Sequence, residues 1–161
     1  MPAALALLDR KITYESATEH ECDMIRMSTY VPETQKLYAS LFEYKKEIEA
    51  LTAHHLGLSN TENCVMSHWK EWIRGRFNVC IPVTVKGKEG KPRRKVLMRC
   101  PMAHMLAESA YPGTVDEKIG CEVATYAWMQ DNCPEINIPH LWGFGFSDGR
   151  HVSFRLLSDF P

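Results

Sequence analysis

The chain has 161 residues, 45% of them apolar and 24% charged, with a formal net charge of -1. That balance fits one folded domain, or one domain with an appendage, large enough to bury a sizeable core. It removes any global pull toward nucleic acid or an anionic membrane surface, and no run of 18 apolar residues is present to form a membrane span.

Residues 1–8 are apolar but short, lack a positive leading segment and run directly into Asp9, Arg10 and Lys11. A secretory signal is therefore not expected, and a cytoplasmic protein is. The six cysteines, at 22, 64, 80, 100, 121 and 133, form no C-x-x-C pair and are expected as reduced thiols. Cys80, Cys100 and Cys121 lie within apolar patterns and are expected as small buried hydrophobes.

The first part of the chain, residues 1–60, reads as helical. Thr18 and Glu21 have the spacing of a capping box, which predicts a short helix through Met27. Pro32 is expected to break it. A second helix is predicted from about residue 32 to 56, its apolar face made of Leu37, Leu41, Tyr44, Ile48 and Leu51, with Gly57 as the stop. His54 and His55 at its end favour the helix dipole over metal coordination.

Residues 61–161 read as strands, a helix and strands. Cys64 and His68 have a ligand-like spacing but no second pair to complete a metal site. Residues 77–85 predict a strand, with Pro82 pointing to an edge position or a bulge. The basic stretch 86–95 is expected as a solvated loop rather than a phosphate- or polyanion-binding patch, with the turn over 86–92 and the returning strand over 94–100. Thr114 can cap a helix over 115–132, closed by Pro134. Ser147-Asp148-Gly149 predicts a hairpin turn before a last strand over 152–157. The order strand, strand, helix, strand, strand gives an α+β domain with a mostly antiparallel sheet of four to five strands.

Phosphate chemistry requires a turn that lets backbone approach, a cation that touches the phosphates, and an acidic residue that holds the cation. Gly75, Arg99 and Glu122 are the candidates: one before a strand, one on the next strand, one on the helix that follows. Equally, Gly75 can be a simple turn, and Arg99 and Glu122 an ordinary ion pair or no pair at all.

The succession Gly75-Arg76-Phe77-Asn78, Val96-Leu97-Met98-Arg99-Cys100-Pro101, Glu122-Val123-Ala124-Thr125 and Ile138-Pro139-His140-Leu141-Trp142-Gly143 resembles the small lobe of the aminoglycoside-phosphotransferase-like, protein-kinase-like family, most of all its large fungal branch. The resemblance implies a kinase-like N-lobe over 61–161, an αC-like helix and an N-terminal helical extension. It implies that Gly75, Phe77 and Asn78 cover a nucleotide, that Arg99 meets its phosphates and that Glu122 pairs with Arg99, with ATP and magnesium as the implied cofactors. Arg99 stands where lysine is usual, and Arg76 where a small residue is.

The family's H-G-D or H-R-D catalytic loop does not occur in the sequence; Asp148-Gly149 reads as a turn and Asp159-Phe160-Pro161 as a tail. The resemblance therefore implies a truncated or pseudo-phosphotransferase lobe with residual nucleotide binding and no catalytic residues of its own. An exposed lobe face implies a protein partner or self-association, with no nucleic acid and no membrane. Two other readings stand beside it: a fragment of an active ATP-dependent small-molecule phosphotransferase, and a non-catalytic interaction module docking through the helices at 18–57.

Overall fold

The computed structural model describes residues 4–7, 10–21, 23–59, 61–87 and 92–154. The molecule is a mixed α+β protein with antiparallel sheets and, among the described residues, four α-helices. It divides into two compact units, Met1–Glu43 and Tyr44–Pro161.

The first unit opens with a hairpin that the sequence does not announce. Strand β1 (Ala4–Ala6) pairs antiparallel with β2 (Lys11–Thr13), and Leu7 N–H donates to the Arg10 carbonyl at 2.7 Å to close the turn. Three-residue strands are too short to display an alternation. Helix α1 (Tyr14–Thr18) is capped by Thr13, whose hydroxyl accepts from Ser16 N–H while Ser16 Oγ accepts from Thr13 N–H at 3.0 Å. The expected box at Thr18 and Glu21 is therefore displaced: Thr18 ends this helix instead of starting one.

Helix α2 (Met24–Glu43) begins under the Asp23 carboxylate, which accepts from Arg26 N–H at 2.9 Å. It runs straight through Pro32, which was expected to break it. A proline denies the helix one backbone hydrogen bond, and the remaining turns carry it across the gap. Leu7, Ile12 and Met24, with Ala17 and Met27, form the core of this unit.

In the second unit, α3 (Lys45–His55) follows a break at Tyr44, so the single helix expected over 32–56 is two. Its apolar stripe divides accordingly. Ile48 is buried with Thr52 one turn on, whereas Tyr44 and Leu51 are exposed. Gly57, at φ 61°, takes the left-handed position after the helix, as its place in the sequence predicts.

Strand β3 (Asn63–Met66) and strand β4 (Ile73–Arg74) both pair with one side of β5 (Asn78–Lys86), and β6 (Pro92–Pro101) pairs with the other. Helix α3 packs on β3, and its Glu49 carboxylate accepts from Met66 N–H at 2.8 Å, satisfying that edge. Strand β5 alternates strictly: Val79, Ile81, Val83 and Val85 are 0–1% exposed. Cys64 and Met66, opposite Val85 and Val83, are buried on the same face. Cys100 shares that face, opposite Val79, and burial pushes its thiol up to about 11. Cys121, expected inside, is exposed on a helix described below.

Pro82 lies in the middle of this central strand and not at an edge or bulge. Ser67 N–H donates to the Pro82 carbonyl at 2.9 Å, so an N–H at position 82 would face the Ser67 carbonyl in return. Proline has none, and the buried Trp72 indole N–H donates to Ser67 O at 3.1 Å in its place.

Helix α4 (Thr114–Asn132) starts at Gly113, φ 99°, without a side-chain cap from its own first turn. Glu108 supplies it: its carboxylate accepts from Gly113 N–H at 2.6 Å, Val115 N–H at 2.7 Å and the Thr114 hydroxyl at 2.8 Å, bonds that hold the carboxyl below its ordinary range. The expected cap, Thr114, is a donor to this group. No residue of α4 is fully buried.

Strands β7 (Gly143–Gly145) and β8 (His151–Ser153) form their own two-stranded sheet about a turn at Gly149 and do not extend the larger one. The continuation expected over 155–157 lies outside the described residues. His54, His55 and His151 form a triangle of edge-on rings, with centroids 5.3–5.5 Å apart, and the His55 ring nitrogen Nδ1 lies 2.8 Å from Ser153 Oγ. Gly143 permits the approach, since an added Cβ would lie 2.7 Å from His55 Cγ and 2.9 Å from the Val152 carbonyl.

Trp72→Phe leaves the Ser67 carbonyl without its donor, costing about 1–3 kcal/mol beyond the loss of ring volume. Pro82→Ala recovers part of that cost in the Trp72→Phe background and none in the parent, read by urea unfolding. Burial first, then the charges of His151 and His54, push the His55 imidazole below its ordinary 6.5. The folded chain then binds this proton more weakly than the unfolded chain, so stability is full above about pH 6.5 and falls as pH drops below it. Glu62, which lines the same cavity as His55, is held below its ordinary range by its hydrogen bond with Arg93 and so stays charged through that range. The melting temperature of His55→Asn should lose this slope; an unchanged slope would place its origin elsewhere.

Candidate functional site

The short hairpin β4–β5 sets up the site. Its turn, residues 75–78, closes with Gly75 N–H donating to the Asn78 carbonyl at 2.8 Å. Gly75 has no left-handed φ, and an added Cβ would meet only Asn78 O, at 3.4 Å. Neither the backbone nor the neighbouring chain requires glycine there. Phe77 is 39% exposed beneath the Arg76 guanidinium, 5.4 Å away, and its carbonyl accepts from Met102 N–H at 2.8 Å. That bond ties the turn to the end of β6.

Register then places the polar groups. Asn78 stands opposite Pro101, Cys80 opposite Arg99 and Pro82 opposite Leu97. Side chains at paired and alternate positions share a face, so Asn78 and Arg99 project from the same side of the sheet, away from the Val79–Val85 core. The Asn78 amide, 9% exposed, lies 3.2 Å from Arg99 Nε and 2.9 Å from Nη2; the orientation that satisfies both groups turns its oxygen to the guanidinium. Arg99 Nη2 in turn donates to Glu122 Oε1 at 3.1 Å. The structure therefore brings Asn78, Arg99 and Glu122 together, with Gly75 and Phe77 in the turn beside them.

One member was not singled out in the sequence. Lys118, one helical turn before Glu122, also donates to Glu122 Oε1. The i,i+4 spacing on a predicted helix was the available signal. Its side chain is 19% exposed, against 44% for Arg99 and 34% for Glu122. Two cations thus share one carboxylate, leaving the cluster net positive.

Apolar surface adjoins it. Ile73, opposite Cys80, and Leu97, two residues before Arg99, lie on the same face and are each 59% exposed. On the helix side an open cavity of about 330 Å³ is lined by Arg99, Glu122, Tyr126, Met129 and Ile138. The arrangement can hold an anionic group at the cations while an apolar group lies on the sheet or against α4.

The other sequence candidates fall elsewhere. Cys64 is buried in β3, while the His68 ring accepts from Lys70 N–H at 3.3 Å in the turn after it. Asp148 is the expected hairpin residue, its carboxyl held below the ordinary range by the Arg150 N–H and guanidinium. Of the basic stretch, Arg93 pairs with Glu62 at 2.8 Å and Arg94 lies over Trp142 at 4.8 Å. Asp159-Phe160-Pro161 lies outside the described residues. No protein-family model, curated protein or solved structure matches the chain.

The exposure of the Arg99–Glu122 pair bears on its role. Solvent-exposed pairs contribute about 0.2–1 kcal/mol, so Glu122→Gln should shift the free energy of unfolding by less than about 1 kcal/mol. A loss several times larger, measured in urea, would make the pair a folding element and not a poised site.

Proposed function

We propose that the second unit is the small lobe of a kinase-like phosphotransferase and anchors the phosphates of a nucleotide without carrying the transfer chemistry itself. The observation that carries this reading is the contact of Arg99 with both Asn78 and Glu122 beside the turn at 75–78. A hairpin with a glycine turn, a strand carrying the cation and a helix carrying its acidic partner follow one another in the order the family resemblance requires. Ile73 and Leu97 add an apolar surface against which a base can rest.

The residues present fit a phosphate group: a guanidinium presents fixed donors suited to bidentate phosphate contact, and Lys118 adds a second positive charge. They fit magnesium less well. Among the described residues no grouping of three histidine, cysteine or acidic side chains is placed to hold a metal, and Glu122 is engaged by two cations. The second unit is therefore assigned phosphate binding, with Arg99 and Lys118 as its cations.

The interaction-module reading loses one support. Ile48, on the helix face expected to dock a partner, is 6% exposed and belongs to the domain's own core.

Isothermal titration with ATP tests the proposal. Binding at millimolar or tighter affinity is expected, and Arg99→Met should weaken it about tenfold or more, the scale of a lost charge-assisted contact. Absence of binding at millimolar ATP, or equal affinity for the variant, would remove the nucleotide from this site.

A further inference from the structure

We infer that the Arg99–Lys118–Glu122 cluster selects a polyphosphate chain that is free of metal, so that magnesium weakens binding at this site. The inference rests on the nucleotide-binding reading and concerns which form of the phosphate chain the site takes. Arg99 and Lys118 both donate to the same oxygen of Glu122. Two positive charges against one negative leave a surplus, and Lys118, its side chain 19% exposed against 44% for Arg99, is the more sheltered of the two.

A metal-free triphosphate offers this surplus its full negative charge. A magnesium-bound one offers about two charges fewer, and the attraction falls in proportion. Magnesium on a phosphate chain is held mainly by phosphate oxygens and water, and a carboxylate contact from this cluster would have to come from Glu122. Glu122 is the acidic member of the cluster, and coordination through it would strip the carboxylate from both cations. It would then hold a divalent cation beside an ammonium and a guanidinium, where like charges repel. Among the described residues no group of three or more histidine, cysteine or acidic side chains is placed to hold the ion instead. The Asn78 amide oxygen, turned to the guanidinium, accepts charge-assisted hydrogen bonds from Arg99 and, being neutral, leaves the charge balance unchanged.

Glu122 thereby acts as a stand-in for the ligand. It occupies the donors of Arg99 and Lys118 until a phosphate oxygen competes for them.

The test is titration of the full chain with ATP and with inorganic tripolyphosphate, each in EDTA and in excess magnesium. ATP affinity in EDTA should exceed that in magnesium by about threefold or more, from the loss of Coulomb attraction, and equal affinity in the two conditions overturns the inference. Tripolyphosphate should follow the same order, which separates phosphate recognition from base recognition. Glu122→Gln should tighten metal-free binding, and Lys118→Met should weaken it, each checked for an unchanged melting transition. ATP binding that appears only with magnesium overturns the inference and leaves the nucleotide reading standing. Binding in neither condition overturns both. If Lys118→Met binds as the parent does while Arg99→Met does not, the second cation plays no part and the inference also falls.

Discussion

Strand β5 is the constraint on which the second unit depends. Its four alternate side chains, Val79, Ile81, Val83 and Val85, are removed from water almost completely, each contributing on the order of 1.5–3 kcal/mol. Because strand side chains alternate, burying this set obliges Asn78, Cys80, Pro82 and Thr84 to face the other way. A slip of one residue would turn the valines outward and carry Asn78 into the core. The register that protects the apolar face therefore also fixes the polar one. Arg99 reaches Asn78 because Cys80 is held opposite it.

Several backbone groups in this structure are satisfied from a distance. The Ser67 carbonyl faces a proline and takes its hydrogen from Trp72. The start of α4 is capped by Glu108, several residues before the helix begins. Met66 at the sheet edge is bonded by Glu49 from α3. Each removes a cost that an unpaired amide or carbonyl would impose. Each also ties one element to another, so these side chains position the strands and the helix as well as completing hydrogen bonds.

Electrostatics separates the site from the core. The Arg99–Glu122 pair is too exposed to hold the fold together, and α4, which carries Glu122 and Lys118, buries no residue fully. Groups that stabilise little where they stand can exchange partners at small cost. A carboxylate shared between two cations is poised in that sense: the proposed exchange of this carboxylate for a phosphate leaves the apolar interior closed.

Some of this was legible in the residues themselves. Strand β5 and helix α4 show their extent through alternation and periodicity, and Gly57 and Gly149 mark their turns because each adopts a positive φ that other residues resist. Local pattern misled where a distant group intervened: at Pro82, answered by Trp72; at Thr114, overruled by Glu108; at Thr18, where Thr13 and Ser16 had already capped the helix. The hairpin at β1–β2 left no signal because three residues cannot show a period. What the sequence by itself determined is the α+β class, the existence of the strand over 77–85 and the helix over 115–132, and the types of charge available to a site. Only the tertiary structure decided that Asn78, Arg99, Lys118 and Glu122 meet, because their encounter depends on where α4 lies and on cross-strand register, which is set by burial of Val79, Ile81, Val83 and Val85 against partners far along the chain.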